Sequence, residues 1–218
     1  MFIGQTMFDL VMSLNSLLVT PRCVGCRTLG TDLCDACKSS VTLSTKSTHL
    51  VKKLHLNSLV CIGPYDGWLR QSLITYKNGD RSCATGLGEL IRIGLTTLPD
   101  ALVIPIPTTA GKLRERGFDT LGDIVDHALV GTSHSRGSGG LAINNHVLDQ
   151  VGLTYVQRQH NLQNAVKALR LMPARVCLVD DVVTTGATLA SAAQAVRKAG
   201  AQTVYAVTLC DATKSGYR

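Results

Sequence analysis

Apolar runs and helical patterns alternate along the middle of the chain. Ser58 to Tyr65 and Ala101 to Pro107 are short apolar runs ended by Gly-Pro or by prolines, which predicts two buried strands. Between these strands, apolar residues recur at helical spacing over Trp68 to Tyr76 and over Leu87 to Leu98. A further helix is expected from about Thr120 to Leu129.

The carboxyl-terminal part contains a strand, a helix and a strand in succession. Arg175 to Val179 and Thr203 to Leu209 are the strand patterns, and Ala187 to Ala199 is the helix between them. Such a unit is typical of parallel sheets, so we expect an α/β fold. Gly131 to Gly140 is rich in Gly and Ser and is expected to be a flexible surface loop.

The amino-terminal part differs from the rest of the chain. Four leucines recur at helical spacing before Pro21, which predicts a short amphipathic helix: Leu10, Leu14, Leu17 and Leu18. The chain is polar and basic from Lys46 to Lys53, and we place a domain boundary near residues 45 to 56. The predicted domains are a small module over residues 1–45 and a main domain over residues 46–218.

Composition limits the class of protein and of partner. Of 218 residues, 45% are hydrophobic and 17% are charged, which suits a compact α/β protein and argues against a disordered chain. The net charge of +7 favours acidic partners, among them phosphorylated metabolites, nucleic acid and anionic surfaces. Apolar runs are too short for a membrane span and the start lacks a signal peptide pattern, so we expect a cytoplasmic protein without membrane contact.

Two pairs of cysteines indicate a metal site in the amino-terminal module. Cys23 and Cys26 form one pair, Cys34 and Cys37 form the other, and seven residues separate the pairs. Four thiolates in a tetrahedron are the ligand set that structural Zn²⁺ prefers, which predicts a compact zinc module. A closed site of this kind supports folding and takes no part in catalysis. A redox-active cysteine pair is the alternative.

The strongest chemical signal lies where the strand at Val176 to Val179 ends. Open α/β sheets bind ligands at the carboxyl ends of their strands. Asp180 and Asp181 follow the strand, and their carboxylates suit the vicinal hydroxyls of a ribose. The next seven residues offer backbone N–H groups, a flexible glycine and three hydroxyls to a phosphate monoester: Val182, Val183, Thr184, Thr185, Gly186, Ala187 and Thr188.

Two other phosphate-binding motifs are absent from the sequence. A nucleoside-triphosphate P-loop needs Gly-Lys followed by Ser or Thr, and a Rossmann fingerprint needs Gly-x-Gly-x-x-Gly at a strand-helix turn. An ordinary strand end followed by a helix N-cap remains the alternative, although capping needs one such residue and not six.

The Asp-Asp-x-x-Thr-Thr-Gly-x-Thr order closely resembles the phosphoribosyl-pyrophosphate motif of type I phosphoribosyltransferases. Together with other segments spread over nearly the whole chain, this motif makes the sequence resemble the ComF/GntX family of phosphoribosyltransferase-like proteins. Those segments are the cysteine pairs, Tyr65, Lys77-x-Gly79, Ile104-Pro-Ile-Pro107, Arg114-x-Arg116-Gly-Phe118, Gln150-x-x-Leu153 and Arg158-x-x-Asn161. The implied fold is a type I phosphoribosyltransferase-like parallel sheet flanked by helices, behind a zinc-ribbon-like module.

The resemblance also implies roles for individual residues. The loop from Thr108 to Gly117 would cup pyrophosphate, with cations from Lys112, Arg114 and Arg116. Lys77 would reach the same pyrophosphate. Arg158 and Asn161 would lie on a mobile loop that closes over the substrate. The family has Asn-Gln after Arg-Gly-Phe, whereas this chain has Asp119-Thr120, and a carboxylate beside an anion site weighs against full activity.

The resemblance suggests two functions, and the cysteine module with the basic charge suggests a third. The first is Mg²⁺-dependent transfer of the phosphoribosyl group of 5-phosphoribosyl-1-pyrophosphate (PRPP) to an unidentified nitrogenous acceptor. The second is a protein that binds PRPP without turnover and serves a partner complex, since the ComF name implies a link with DNA uptake in competent bacteria. The third is a zinc-dependent binder of single-stranded DNA, although few aromatic residues are present for base stacking.

Overall fold

The computed structural model describes residues 20–143 and 165–213. The strands in chain order are β1 Ser44–Thr45, β2 Ser58–Pro64, β3 Leu102–Pro105, β4 Ser135–Arg136, β5 Leu141–Ile143, β6 Val166–Ala168, β7 Arg175–Val183 and β8 Thr203–Asp211. The helices are α1 Asp35–Ser40, α2 Thr48–Lys53, α3 Gly67–Lys77, α4 Ala84–Leu95, α5 Ala110–Arg116, α6 Thr120–Leu129 and α7 Ala187–Lys198, with a 3₁₀ turn at Arg81–Cys83.

Six strands form one sheet in the order β1-β2-β8-β7-β3-β4. All neighbours in it are parallel except β1 and β2, while β5 and β6 form a separate antiparallel pair. The two central strands are fully covered, since Val176 to Val179 in β7 and Val204, Ala206 and Val207 in β8 have no exposed surface. Parallel strands buried on both faces need continuous apolar runs, which is the pattern seen in the sequence.

The predicted α/β architecture is confirmed, with helices flanking a mostly parallel sheet. Strands were expected at the four apolar runs and lie there, and α6 has the predicted bounds. The carboxyl end of β7 differs from the predicted end, and the difference includes the acidic pair. β7 continues to Val183 because it stays paired with β8, where Asp180 faces Thr208 and Val183 faces Asp211. The acidic pair therefore belongs to the strand end itself.

The Gly/Ser-rich segment Gly131 to Gly140 was expected to be a flexible surface loop, and this expectation was wrong for its central residues. Ser135 and Arg136 form an edge strand parallel to β3. The Gly137 N–H donates to the Val103 carbonyl at 2.8 Å. A Cβ on Gly137 would lie 2.7 Å from Ile104 Cγ1, so glycine lets the segment pack closely on the sheet.

The amino-terminal cysteine segment shares its buried surface with the main sheet. Cys23, Val24 and Leu33 are at most 5% exposed and belong to the same apolar cluster as the β7 and β8 side chains. The leucine-rich segment before Pro21 lies outside the described residues. Within residues 20–143 and 165–213, no helix has both the length and the apolar character needed to cross a membrane.

Gly186, between β7 and α7, is constrained by both its backbone and its surroundings. It has φ 76° and ψ 7°, the left-handed region that favours glycine. A Cβ at this position would lie 2.6 Å from Cδ2 of Leu54, a side chain that is 2% exposed. Leu54 therefore fixes how closely the turn after β7 approaches the core.

We predict that Gly186→Ala lowers the free energy of unfolding by about 2–4 kcal/mol, because left-handed strain and overpacking add. Gly131→Ala is the matched control, since Gly131 has φ 73° with nothing within 4 Å of a Cβ. That variant should lose only about 1 kcal/mol. Urea denaturation of both measures the difference, and equal losses would show that the contact with Leu54 costs nothing.

Candidate functional site

A cavity of about 280 Å³ lies at the carboxyl ends of β3 and β7. Its lining combines two carboxylates, Asp180 and Asp181, with three cationic side chains, Lys77, Lys112 and Arg116. Hydroxyls of Thr108, Thr109, Thr120 and Thr188 complete its polar surface. The cavity therefore stands where parallel sheets bind ligands, and its polar groups suit a ligand with both hydroxyls and anionic groups.

Asp180 and Asp181 form the floor of the cavity. The Asp181 N–H donates to Asp180 Oδ1 at 2.9 Å. Burial at the end of β7, together with the charge of Asp181, raises the pKa of Asp180 to about 7. Asp181 forms an ion pair with Lys77 from the end of α3. Two carboxylates and one ammonium thus meet in a partly enclosed space that Lys112 and Arg116 also line.

The turn from Thr184 to Thr188 joins β7 to the amino end of α7. Thr184 and Thr185 are exposed, and the Ala187 N–H donates to Thr185 Oγ1 at 3.4 Å. The N-cap residue Gly186 has no side chain to cap the helix. Backbone N–H groups in the first turn of this 12-residue helix therefore suit an anion. Val182 and Thr188 line the cavity beside them.

The segment expected to be an anion-binding loop after β3 is largely helical. Thr109 caps α5 by accepting from the Lys112 N–H at 3.4 Å, and Gly117 ends the helix with φ 77°. Lys112 and Arg116 lie four residues apart, so they share the face that lines the cavity. Arg114, half a turn away, is exposed and does not belong to the lining.

Asp119 and Thr120 have local roles that the sequence analysis missed. Asp119 is the N-cap of α6, where Oδ1 accepts from the Gly122 N–H at 3.1 Å. Thr120 is 3% exposed, and its hydroxyl accepts from Arg116 Nη1 at 3.4 Å. The carboxylate that departs from the family pattern thus begins a helix, and the threonine beside it orients a cavity cation.

A buried network supports this corner of the cavity, and sequence patterns gave no sign of it. The Tyr76 hydroxyl oxygen lies 2.9 Å from Asp123 Oδ2 and 3.0 Å from the Thr120 carbonyl oxygen, so its single proton is shared between these two acceptors. Burial and the neighbouring Asp123 raise the pKa of Tyr76. Its ring meets that of Phe118 edge-on at 5.4 Å, and the Arg81 guanidinium lies 5.1 Å from the Phe118 ring centroid. α3 and α6 are thereby held together directly beside Lys77.

The proposed loop residues Arg158 and Asn161 lie outside the described residues. Their predicted role therefore stays a prediction. Thr108, Lys77, Lys112, Arg116 and the acidic pair are the predicted residues that the structure brings together, along with Val182 and Thr188.

The four cysteines form a second candidate site. One sulfur from each of Cys23, Cys26, Cys34 and Cys37 lies within 4.8 Å of the other three. Cys26 Sγ and Cys34 Sγ are 3.6 Å apart. Tetrahedral Zn²⁺ with Zn–S bonds of about 2.3 Å requires sulfurs about 3.8 Å apart, so the cluster fits this ion.

Hydrogen bonds within the cluster suit thiolate ligands. The Cys34 N–H donates to Cys23 Sγ at 3.3 Å, and the Cys37 N–H lies 3.5 Å from Cys34 Sγ. The hydroxyl and backbone N–H of Thr28, with the Cys34 thiol, lower the pKa of Cys26 to about 6. These hydrogen bonds favour a thiolate at Cys26, whereas burial raises the pKa of Cys37 to about 12. With all four positions supplied by protein, the site fits a structural ion.

We predict about one zinc ion per chain in protein purified without chelator. Cys26→Ser and Cys34→Ser should lose it, while Cys177→Ala, which changes a buried cysteine of β7, should retain it. Elemental analysis measures the content. Metal-free protein with a disulfide in this cluster would instead support the redox alternative.

We also predict a pH-dependent effect of Asp180→Asn on stability. Because the folded pKa of Asp180 is raised to about 7, the native state binds this proton more tightly than the unfolded chain. The contribution of Asp180 to stability therefore falls as pH rises from about 4 to about 7 and then levels off. The variant should be more stable than the native protein by about 1–4 kcal/mol at pH 8, with a smaller difference at pH 5.

Denaturation at both pH values measures this difference. The exposed Asp100→Asn is the control and should show little dependence on pH. A constant difference between native protein and Asp180→Asn from pH 5 to pH 8 would contradict the raised pKa.

Comparison with known proteins bears on the part of the chain that forms the floor of the cavity. Residues 138–218 match the family model for the phosphoribosyl transferase domain, a little over a third of the chain. A search of curated proteins finds no match. The matched segment contains β7, the turn at Gly186, α7 and β8, and the strands β7 and β8 share one sheet with β2 and β3 from before residue 138. The carboxyl-terminal part of the chain thus has the features of a phosphoribosyl transferase domain, and the four-cysteine cluster precedes it.

Proposed function

We propose that the protein binds PRPP with Mg²⁺ in the cavity at the ends of β3 and β7 and transfers its phosphoribosyl group to a nitrogenous acceptor. The observation that carries this proposal is the convergence of three kinds of group on one cavity. The acidic pair suits ribose hydroxyls, the turn before α7 suits a phosphate, and cations from α3 and α5 suit pyrophosphate. The match of residues 138–218 to the phosphoribosyl transferase domain supports the same ligand.

Each part of PRPP has a complementary place in this arrangement. The 5-phosphate would accept hydrogen bonds from N–H groups at the start of α7 and from the hydroxyls of Thr185 and Thr188. The ribose hydroxyls would donate to Asp180 and Asp181. Pyrophosphate would lie toward Lys112 and Arg116, which share one face of α5.

The chemistry requires stabilisation of separated charge. The bond from C1 of the ribose to a pyrophosphate oxygen breaks, pyrophosphate keeps the electron pair, and C1 forms a bond to the acceptor nitrogen, which loses a proton. Lys112 and Arg116 stabilise charge on the leaving group, while Asp180 and Asp181 stabilise positive charge that develops on the ribose. Mg²⁺, a hard cation that prefers oxygen ligands, would offset further charge on pyrophosphate when it is bound.

Binding without turnover is the second candidate function. It is favoured by Asp119, whose carboxylate stands where the resembling family has an amide and caps a helix beside the α5 cations. A phosphoribosyl pocket of this kind would serve as a sensor or as a docking point for a partner in DNA uptake. The two candidates share one pocket, so turnover must be measured separately from binding.

Calorimetric titration of PRPP with Mg²⁺ into zinc-loaded protein tests the shared pocket. We expect binding by the native protein and a loss of affinity of tenfold or more in the Asp180→Asn/Asp181→Asn variant, since the amides donate where the ribose hydroxyls need acceptors. Asp100→Asn/Asp126→Asn removes the same charge away from the cavity and is the matched control. No binding by the native protein would overturn the proposal.

Release of pyrophosphate separates the two functions once binding is established. The native protein with PRPP, Mg²⁺ and a panel of purine, pyrimidine and other nitrogenous acceptors should release pyrophosphate with at least one of them. Tight binding without release on the whole panel would leave the non-catalytic function.

A further inference from the structure

The four-cysteine module lies directly against the helices beside the cavity. The hydroxyl of Ser72 in α3 donates to the Val24 carbonyl at 2.5 Å. At Gly86 in α4, a Cβ would lie 2.4 Å from the Asp32 carbonyl oxygen, so only glycine permits this approach. The module is therefore in close contact with the element that ends at Lys77.

Arg27 extends this contact beyond the apolar interface. It follows Cys26 and has φ 64°, an uncommon conformation for a residue other than glycine. The Arg27 backbone N–H donates to the Cys23 carbonyl at 2.9 Å, so the Arg27 backbone is hydrogen-bonded to the turn that carries the first cysteine pair. Its guanidinium donates to Asp80 Oδ2 at 3.2 Å and to Cys83 Sγ at 3.5 Å. The backbone of the cysteine cluster thus directs this side chain at the turn that follows α3.

The α3–α4 turn, Asn78–Ser82, is held at several points. Asp80 Oδ1 accepts from the N–H of Ser82 at 3.2 Å and from its hydroxyl at 2.5 Å. The Ser82 hydroxyl and the Arg27 guanidinium keep the pKa of Asp80 below its ordinary value, so the carboxylate is ionised at neutral pH. Arg81 donates to Asp123 at 3.2 Å. Lys77 immediately precedes this turn, and its ammonium is paired with Asp181 in the cavity.

We propose that Arg27 and Asp80 are positioning residues for Lys77. The metal-bound cysteine cluster fixes Arg27, Arg27 fixes Asp80, and the α3–α4 turn then holds Lys77 toward the acidic pair and the bound phosphates. The module is by this inference a part of the ligand site, and loss of its metal weakens the site. The inference rests on the proposed function for the identity of the ligand alone.

Charge removal at Asp80 distinguishes this role from simple electrostatics. Removing a negative charge near an anion site strengthens anion binding when only long-range attraction matters. If Asp80 positions Lys77, Asp80→Asn weakens binding instead. The two explanations thus predict opposite signs for the same variant.

The experiment is calorimetric titration of PRPP with Mg²⁺ into zinc-loaded variants. Asp80→Asn and Arg27→Gln should each raise Kd about two- to fivefold, in keeping with the loss of one partly exposed ion pair. Arg27→Lys keeps the positive charge and should therefore keep most of the affinity that Arg27→Gln loses. Arg22→Gln is the control of equal charge on the same module, since Arg22 forms none of the ion pairs found among the described residues. In a Lys77→Met background, neither Asp80→Asn nor Arg27→Gln should have a further effect. Unchanged or tighter binding by Asp80→Asn would overturn the inference.

Hydrogen exchange tests the same inference without a ligand. The N–H groups of Asn78, Gly79 and Asp80 donate to carbonyls of α3, so they report on the order of the turn. Exchange there should accelerate in Arg27→Gln and in protein freed of metal by chelation, but not in Arg22→Gln. A native protein that binds no PRPP would refute the proposed function, whereas unchanged exchange in both forms would refute the positioning role.

Discussion

The pairing of β7 with β8 along its whole length determines where the chemistry of this protein lies. The apolar part of β7 is buried on both faces, and hydrogen bonding to β8 continues through Val183. Asp180 and Asp181 are consequently part of a paired, partly buried strand end. Low polarity at this position raises the pKa of Asp180, and Lys77 is the cation that offsets the charge of its neighbour.

This arrangement is costly for the free protein and useful for a bound ligand. Two carboxylates within one cavity repel each other. Replacement of one carboxylate by an amide would therefore stabilise the free protein. A ribose diol supplies donors to both carboxylates and removes part of the cost. Under the proposed function, part of the affinity for PRPP would come from relief of this repulsion, and perturbed pKa values of this kind are common at functional sites.

Local patterns made much of the fold and of the candidate site predictable from sequence. β7, the turn at Gly186 and α7 are contiguous in the chain. The strand end, the glycine of the turn and the start of the helix can therefore be recognised in adjacent residues. α5 was missed because it is only seven residues long and has no buried side chain to create an apolar period. Its cap, Thr109, and the left-handed Gly117 are nevertheless signals that a closer search for helix ends would find.

Other features could not be predicted because they depend on tertiary contacts. β4 contains a serine and an arginine and carries no apolar signal, so only the exposed edge of β3 explains it. The Arg27–Asp80 ion pair joins residues 53 positions apart, and no local pattern distinguishes either residue from an ordinary surface charge. The same applies to Tyr76 and Asp123, which lie 47 positions apart in different helices and meet only in the folded chain.

The contact between the cysteine module and α3 bears on the role that a metal ion in the module would have. A closed tetrathiolate site has no open position for substrate, so a direct chemical role is excluded by coordination alone. Its energetic contribution can still reach the ligand, because a small module that shares its core with the main sheet stabilises whatever it packs against. Here it packs against the helix whose last residue meets the acidic pair. Under the proposed positioning role, the stability of the module and the position of Lys77 in the cavity would be coupled through α3.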